Sequence, residues 1–367
     1  MSRPTWARWV TRISLVVGVL ALIFTVYKTG PHTIVSYFRR IGWWWFAVAA
    51  LEVVITSLDA VAIRAFLSPD QHRVRLRSAV LSQLAGRSVN AVTPSGNLGE
   101  AVKVSVLTDF VSNSQAVATI LLYNIVSFNV ELVIAAIAAP FLAILVPMPT
   151  GLRWVIGVTG IVCLAISIGL YALVQRGMIA SIAKLPVKLH LVSHAWFERW
   201  EPKLRSVDDK LRLVAGARKR DRLLGIGAVT LSRLTSMTLS LIVLHAVGGP
   251  ITVGFVAAYT VGGLVIYLAS SLVPMGLGIS EGGNFWLFRA LGENPAWGVT
   301  LVFARRVTLI VYAAIGIVLV TASETVQRAR SRQGRARDVA PLPTATALPL
   351  VVTLPQPVAA ARVTDAD

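Results

Sequence analysis

Ionisable side chains lie inside segments of this sequence that are otherwise apolar enough to cross a bilayer. Glu52 and Asp59 are seven residues apart and therefore share one face of a predicted helix. Glu131 and Arg233 lie near the middle of two further apolar segments. An ionised group at membrane depth costs several kcal/mol unless it is paired or hydrated, so each is a candidate functional residue. About ten residues into the last apolar segment lie two more candidates, Arg305 and Arg306.

Arginine at membrane depth favours recognition of phosphate. A guanidinium group presents several N–H donors in a planar fork that matches phosphate geometry. We therefore predict that Arg233 and Arg305 bind an anionic lipid headgroup. The acids Glu52, Asp59 and Glu131 would then balance charge or carry protons when the headgroup is absent. The alternative is that acids and arginines only neutralise one another, because buried charges are normally paired.

Two glycine-rich stretches interrupt the apolar segments, TPSGNLGE from Thr93 to Glu100 and VPMGLGISE from Val273 to Glu281. Non-helical backbone at membrane depth is tolerated only where protein or an aqueous cavity satisfies its N–H and C=O groups. Such breaks therefore predict a binding site. With the span residues above, the predicted site comprises Arg87, Asn90, Pro94, Gly96, Gly99, Glu100, Lys103, Asn124, Glu131, Arg233, Pro274, Gly276, Gly278, Glu281 and Arg305.

Each part of this interpretation has a structural alternative. Glycine and proline also permit close helix crossings and tight turns. Glu100 and Glu281 follow glycines at predicted helix starts, where a carboxylate can cap N–H groups. Lys103, three residues after Glu100, is placed to interact with it along the helix.

The two breaks indicate a duplicated chain. Glu100 precedes Asn124 by 24 residues, and Glu281 precedes Arg305 by 24 residues. Polar residues then follow at matching offsets, Ser127 and Glu131 in one half and Thr308 and Tyr312 in the other. Interrupted apolar segments at corresponding places in two halves are typical of a transporter site near the bilayer midplane.

The composition is that of an integral membrane protein. The 367 residues are 55% hydrophobic and 14% charged with a mean hydropathy of +0.71, whereas about a quarter of a soluble domain is charged. The net charge of +18 favours anionic lipid headgroups over nucleic acid, because the basic residues lie between and beyond apolar spans. Spans of about 20 residues are predicted near 13–30, 43–67, 116–146, 153–174, 223–246, 251–273 and 296–321.

Shorter apolar segments at 78–92 and 280–292 flank the breaks and are predicted to be re-entrant or broken helices. Lys and Arg excess places the N-terminus, residues 175–222 and the tail in the cytoplasm. That orientation requires an eighth crossing, expected between Pro274 and Gly292. The loop 175–222 is predicted to form surface helices or a charged linker, and residues 326–367 a basic, then disordered tail.

The two motifs resemble a known family. GRSVNAVTPSGNLGEAVK (Gly86 to Lys103) and VPMGLGISEGGNFWLFRALG (Val273 to Gly292), followed by Arg305, are similar to the paired signatures of the lysylphosphatidylglycerol synthase transmembrane region, also called flippase-like or UPF0104. The resemblance covers roughly residues 10–325 and implies an eight-span bundle with re-entrant helices that moves lipids between leaflets. The synthase domain of bifunctional members is expected to be absent, and synthase activity with it.

The resemblance has departures. Asn124 stands where the family often has arginine, and Met275 and Gly276 stand where it has a doubled glycine. The RSVN run resembles the hopanoid-associated branch, so a hopanoid-like lipid is a second candidate substrate.

We therefore expect an all-α polytopic protein of the inner, cytoplasmic membrane with about eight transmembrane helices, two broken helices and pseudo-repeated halves. Residues 1–325 would form a flippase-like domain that translocates or binds an anionic phospholipid or related lipid. No enzyme activity, cofactor or metal is expected from its motifs. The alternatives are a membrane-embedded lipid or polyprenyl transferase, with Glu100 or Glu281 as base, and a non-transporting partner of lipid-synthesis enzymes.

Overall fold

Long apolar runs form helices because lipid leaves backbone polar groups to be satisfied within the segment itself. The computed structural model describes residues 32, 35, 39, 41–68, 70–92, 98–146, 150–176, 205, 209, 218–249, 251–270, 278–311, 314–316 and 318. Within these residues the regular structure is entirely helical and includes no strand. The prediction of an all-α protein is confirmed.

The helices of the described part of the chain are α1 (Trp44–Phe66), α2 (Leu76–Val92), α3 (Leu98–Leu107), α4 (Asn113–Leu145), α5 (Thr150–Arg176), α6 (Lys219–Ala246), α7 (Val253–Ser270), α8 (Ile279–Ala290) and α9 (Pro295–Gly316). Six of them, α1, α4, α5, α6, α7 and α9, are long and apolar enough to cross a membrane. They correspond to six of the seven predicted spans. The predicted span near 13–30 lies outside the described residues.

Short helices flank both glycine-rich breaks, as predicted. α2, α3 and α8 contain 17, 10 and 12 residues. At 1.5 Å per residue α8 is only about 18 Å long, against about 30 Å of hydrocarbon, so it does not cross on its own. The eighth crossing between Pro274 and Gly292 therefore remains a prediction.

Each short helix packs against the helix before its break. α3 lies along α2, and α8 lies along α7. Leu287 of α8 fits over Gly262 of α7, and Ile266 of α7 fits over Gly283 of α8. The break residues themselves, 93–97 and 271–277, lie outside the described residues. The two helix pairs thus hold α3 and α8 beside the helix that precedes each break.

Two hydrophobic clusters hold the helices that position the site. One joins α1, α2, α3, α4 and α6, with Ile63, Leu107 and Val229 fully buried. The other joins α1, α6, α7, α8 and α9, with Phe288 fully buried between Phe255 and Leu301. α1 and α6 contribute to both clusters and pack closely against each other. Together they form the scaffold that carries the charged residues described below.

Other helix faces are apolar and exposed, as expected of surfaces that contact lipid. α5 exposes Trp154, Ile161 and Ile168 along its length.

Arg64, near the end of α1, donates from Nε to the carbonyl oxygen of Val74 at 3.2 Å. It fixes the short 3-10 turn Asp70–Arg73 that leads into α2.

Several sequence predictions fall outside the described residues. They include most of the basic loop 175–222 and the whole of the tail 326–367. The orientation in the membrane and the domain boundary at residue 325 are likewise still predictions.

Candidate functional site

Arg233, near the middle of α6, lies between two carboxylates from different helices. Its Nη2 donates to Asp59 Oδ1 of α1 at 3.3 Å, and its Nη1 donates to Glu131 Oε1 of α4 at 3.5 Å. Nη2 also donates to the hydroxyl oxygen of Tyr123 at 3.1 Å. One guanidinium group therefore connects α1, α4 and α6 at membrane depth.

Asp59 is almost completely enclosed, with a side chain only 2% exposed. Besides Arg233, it accepts from Ser232 Oγ at 2.6 Å and from Gln83 Nε2 at 2.8 Å. Gln83 Nε2 also donates to the hydroxyl oxygen of Tyr123 at 3.2 Å, so α2 contacts both Asp59 and Tyr123. Three side-chain donors from two helices thus converge on this one carboxylate.

The same face of α1 carries a second ion pair. Arg87 of α2 donates from Nη2 to Glu52 Oε2 at 2.8 Å and from Nη1 to Thr56 Oγ1 at 3.1 Å. Glu52, Thr56 and Asp59 follow at helical spacing, so one stripe of α1 faces the polar side of α2. The acids predicted on this face are both paired with arginines.

At the first break, Glu100 is surrounded by donors from three helices. Asn90 Nδ2 of α2 and Lys103 Nζ of α3 both donate to Oε1 at 2.9 Å, and Asn124 Nδ2 of α4 donates to Oε2 at 2.9 Å. Asn90 also accepts from the backbone N–H of Gly99 at 2.6 Å. The structure thus brings five predicted site residues into one hydrogen-bonded group.

Gly99 permits this arrangement because a larger residue would not fit. A Cβ atom at this position would collide with the carbonyl oxygen of Gly86 and with the side chain of Asn90. The close approach of α2 and α3 therefore needs glycine here. This supports the close-crossing role of glycine for Gly99, and it also places Asn90 against Glu100.

At the second break, Glu281 has two partners of different kinds. Its Oε2 accepts from the backbone N–H of Gly278 at 2.9 Å, so it caps the start of α8. Its Oε1 forms an ion pair with Nη1 of Arg306 on α9. Gly278 has φ of +83°, a conformation that favours glycine. The capping role considered for both glutamates is thus observed at Glu281, whereas Glu100 binds side chains.

Arg305 points away from Glu281, since one residue turns a helix by about 100°. Its Nη1 donates to the hydroxyl oxygen of Tyr259 on α7 at a long distance of 3.5 Å, and its side chain is exposed. It makes no ion pair within the described residues. Glu131 lies within electrostatic range of Arg305, and Tyr267 of α7 lies within range of Glu131. Arg305 therefore belongs to the surroundings of the central group.

Four predicted site residues, Pro94, Gly96, Pro274 and Gly276, lie outside the described residues. Four residues of the observed groups were absent from the prediction, namely Thr56, Gln83, Tyr123 and Ser232, whereas Arg306 was named as a candidate but not included in the predicted site. A sequence signal existed for one of them. Gln83, Arg87 and Asn90 follow at offsets of four and three residues, which places all three on one face of α2.

Two buried guanidinium donors, Arg233 Nε and Arg306 Nη2, have no hydrogen-bond partner in the described part of the chain. An unpaired buried donor costs about 1–3 kcal/mol, so each favours an additional acceptor. Guanidinium donors are suited to oxygen acceptors of carboxylate or phosphate type. The site therefore consists of paired charges, and two of its arginines each keep one N–H donor without an acceptor among the described residues.

A comparison with family models supports the resemblance noted from the motifs. The model described as the lysylphosphatidylglycerol synthase TM region matches residues 12–316, which include α1 to α9 and both glycine-rich breaks. No curated protein and no solved structure matches the chain.

Proposed function

The chain belongs to the lysylphosphatidylglycerol synthase TM-region family, and we propose that it moves a lipid with an anionic headgroup between the leaflets of the inner, cytoplasmic membrane. The chain is a multi-pass membrane protein whose charged residues lie between its helices. Membrane lipids are the proposed partners. The lipid is proposed to leave the protein chemically unchanged.

The observation that carries this proposal is the setting of Arg305. Arg87, Arg233 and Arg306 each form an ion pair, whereas Arg305 forms none within the described residues and is exposed. A guanidinium at membrane depth whose N–H donors have no charged acceptor in contact is costly. A lipid phosphate at this position would supply that acceptor while its acyl chains stay in the bilayer.

Arg233 provides the inner end of the same site. Glu131 contacts Arg233 and also lies within electrostatic range of Arg305, so both arginines act on one carboxylate. The Nε of Arg233 is an unused donor. A headgroup that enters at Arg305 can therefore find further donors deeper in the bundle, which is what crossing between leaflets requires.

Reconstitution tests the proposal. The purified full-length chain is placed in vesicles that contain a trace of acyl-labelled phosphatidylglycerol, and the rate at which inner-leaflet label reaches an impermeant quencher is measured. We expect Arg305→Gln to slow this rate by at least about tenfold, the equivalent of one charge-assisted hydrogen bond. Arg305→Lys should also be slower than wild type, because an ammonium lacks the guanidinium fork.

A matched arginine serves as the control. Arg289 is exposed on α8 and lies over the ring of Trp286, with its Cζ 4.9 Å from the ring centroid. Arg289→Gln should leave the transport rate unchanged. Wild-type vesicles that equilibrate label no faster than protein-free vesicles, or an Arg305→Gln rate equal to wild type, would refute the proposal. A change in the mass of the labelled lipid would instead support the transferase alternative.

A further inference from the structure

Two carboxylates share the guanidinium of Arg233, and their environments differ. Asp59 accepts from Arg233, Ser232 and Gln83, and its side chain is 2% exposed. Glu131 accepts from Arg233 alone among the described residues, at 3.5 Å, and its side chain is 32% exposed. A proton on Asp59 would have to displace one or more of three donors, whereas a proton on Glu131 displaces a single long contact.

Charge balance around Arg233 is complete before any lipid binds. Arg233, Arg305 and Asp59 all lie within electrostatic range of Glu131, and with both carboxyls ionised the four charges sum to zero. A monoanionic headgroup adds one negative charge to this neutral set. In a region of low dielectric that surplus is unfavourable, so a positive charge has to enter with the lipid or a negative charge has to be removed.

We propose that Glu131 is the proton-exchanging carboxyl of this site, which gives up Arg233 by taking a proton from water when an anionic headgroup binds. This inference rests on the proposed function. The proton bonds to a carboxylate oxygen of Glu131, and the long contact from Arg233 Nη1 is broken. The same Nη1 then donates to a headgroup oxygen. Release of the headgroup reverses each step, and the proton returns to water.

The other charged and titratable groups around Glu131 do not take its place as the group that exchanges a proton. Arg233 on α6 and Arg305 on α9 remain protonated under all physiological conditions. Tyr267 on α7 is a neutral phenol near physiological pH. Asp59 on α1 is held by its donors, and Tyr123, on the same helix as Glu131, bonds to the Asp59 side of Arg233.

The consequence is a thermodynamic linkage between proton and lipid. If one proton is taken up for each lipid bound, the affinity for lipid falls by up to about tenfold for each pH unit of increase, wherever Glu131 starts ionised. Transport would then respond to a pH difference across the membrane. A glutamine in place of Glu131 is neutral without a proton and should bind the lipid with no such dependence.

Calorimetry of the purified full-length chain in detergent micelles tests this inference. Short-chain, micelle-soluble phosphatidylglycerol is titrated in buffers of different ionisation enthalpy, which reports protons taken up per lipid bound. We expect about one proton for wild type and none for Glu131→Gln, with binding retained in both. Glu293→Gln, a change in the turn after α8, should behave as wild type.

The outcomes separate the two proposals. Binding by wild type without proton uptake, or uptake that persists in Glu131→Gln, overturns the role of Glu131 and leaves lipid binding intact. No binding by wild type at any pH overturns the proposed function and this inference with it. If Glu131→Gln does not fold, the pH dependence of the wild-type affinity for lipid decides alone. An affinity that stays constant between about pH 5 and pH 9 overturns the inference.

Discussion

Each of the two glycine-rich breaks ends in a glutamate, and the two glutamates are neutralised by different partners. At the first, Glu100 pairs with Lys103 on its own helix and accepts an amide N–H from Asn124 on α4. At the second, Glu281 pairs with Arg306 on α9 and caps its own helix. The residue that corresponds to Lys103 in the second half is Asn284, which donates to the backbone carbonyl of Ser280 and forms no ion pair in the described part of the chain. The cation that pairs with the glutamate therefore lies on the same helix in the first half and on the following helix in the second half.

This difference changes what each ion pair connects. The Lys103–Glu100 pair stays intact however α3 moves relative to α4, because both residues belong to α3. The Arg306–Glu281 pair has to break if α8 separates from α9. If one half of the molecule moves during transport, the second break is the one whose movement is opposed by a charge pair. Four predictions, based on five substitutions, test this comparison.

The largest effect is expected from Lys103→Met, which removes the cation of the first half but keeps an apolar stem. The Lys103 side chain is 4% exposed, and Glu100, whose side chain is 26% exposed, would keep only amide donors. Loss of one partner of a buried pair costs about 3–5 kcal/mol. Denaturant unfolding in mild detergent should show this loss. The double variant Lys103→Met with Glu100→Gln should recover most of it, and failure to recover would show that Lys103 acts through packing alone.

The next largest effect is expected from Arg306→Met. The Arg306 side chain is 17% exposed, against 4% for Lys103, so this cation is less completely desolvated and water offsets part of the lost pairing. We expect about 2–3 kcal/mol of destabilisation, below the value for Lys103. Glu281→Gln in the same chain should restore stability, since the neutral side chain needs no counter-charge. Cross-linking of cysteines placed on α8 and α9 should weaken in Arg306→Met if the pair holds these helices together.

Much of this architecture follows from the sequence. Apolar length predicted six described spans, and the matched Gly and Pro residues predicted the short helices beside both breaks. The pairing of Glu100 with Lys103 followed from spacing on one helix. Such predictions succeed because they depend on residues near one another in the chain.

The remaining site contacts depend on helix rotation, which the sequence pattern does not determine. Equal spacing of 24 residues indicated that Arg305 occupies the place of Asn124, yet Arg306 contacts Glu281. A shift of one residue rotates a side chain by about 100°, so it decides which arginine is paired and which is exposed. Gln83 and Ser232 reach Asp59 only because α2 and α6 pack on the same face of α1.

A third, smaller effect distinguishes the glycines of the two breaks. Gly99→Ala should cost about 2 kcal/mol, because its Cβ meets the backbone of Gly86 and has to push α2 and α3 apart. Gly278 has open space around it, so Gly278→Ala meets only the strain of its φ of +83°, about 1 kcal/mol. Unfolding free energies of both variants, measured together, check the order. The reverse order would mean that the second break, not the first, is the tightly packed one.

The smallest effect is expected from Asn124→Ala. Glu100 keeps its bonds to Lys103 and Asn90, so only one hydrogen bond across to α4 is lost, worth about 1 kcal/mol. A double-mutant cycle with Glu100→Gln measures this link directly, because coupling appears only between residues in contact. Asn129, an amide on the same helix that bonds to Ser167 of α5, provides the control and should show no coupling to Glu100. A coupling between Asn124 and Glu100 as large as that between Arg306 and Glu281 would contradict the comparison, because both breaks would then be tied to the next helix with equal strength.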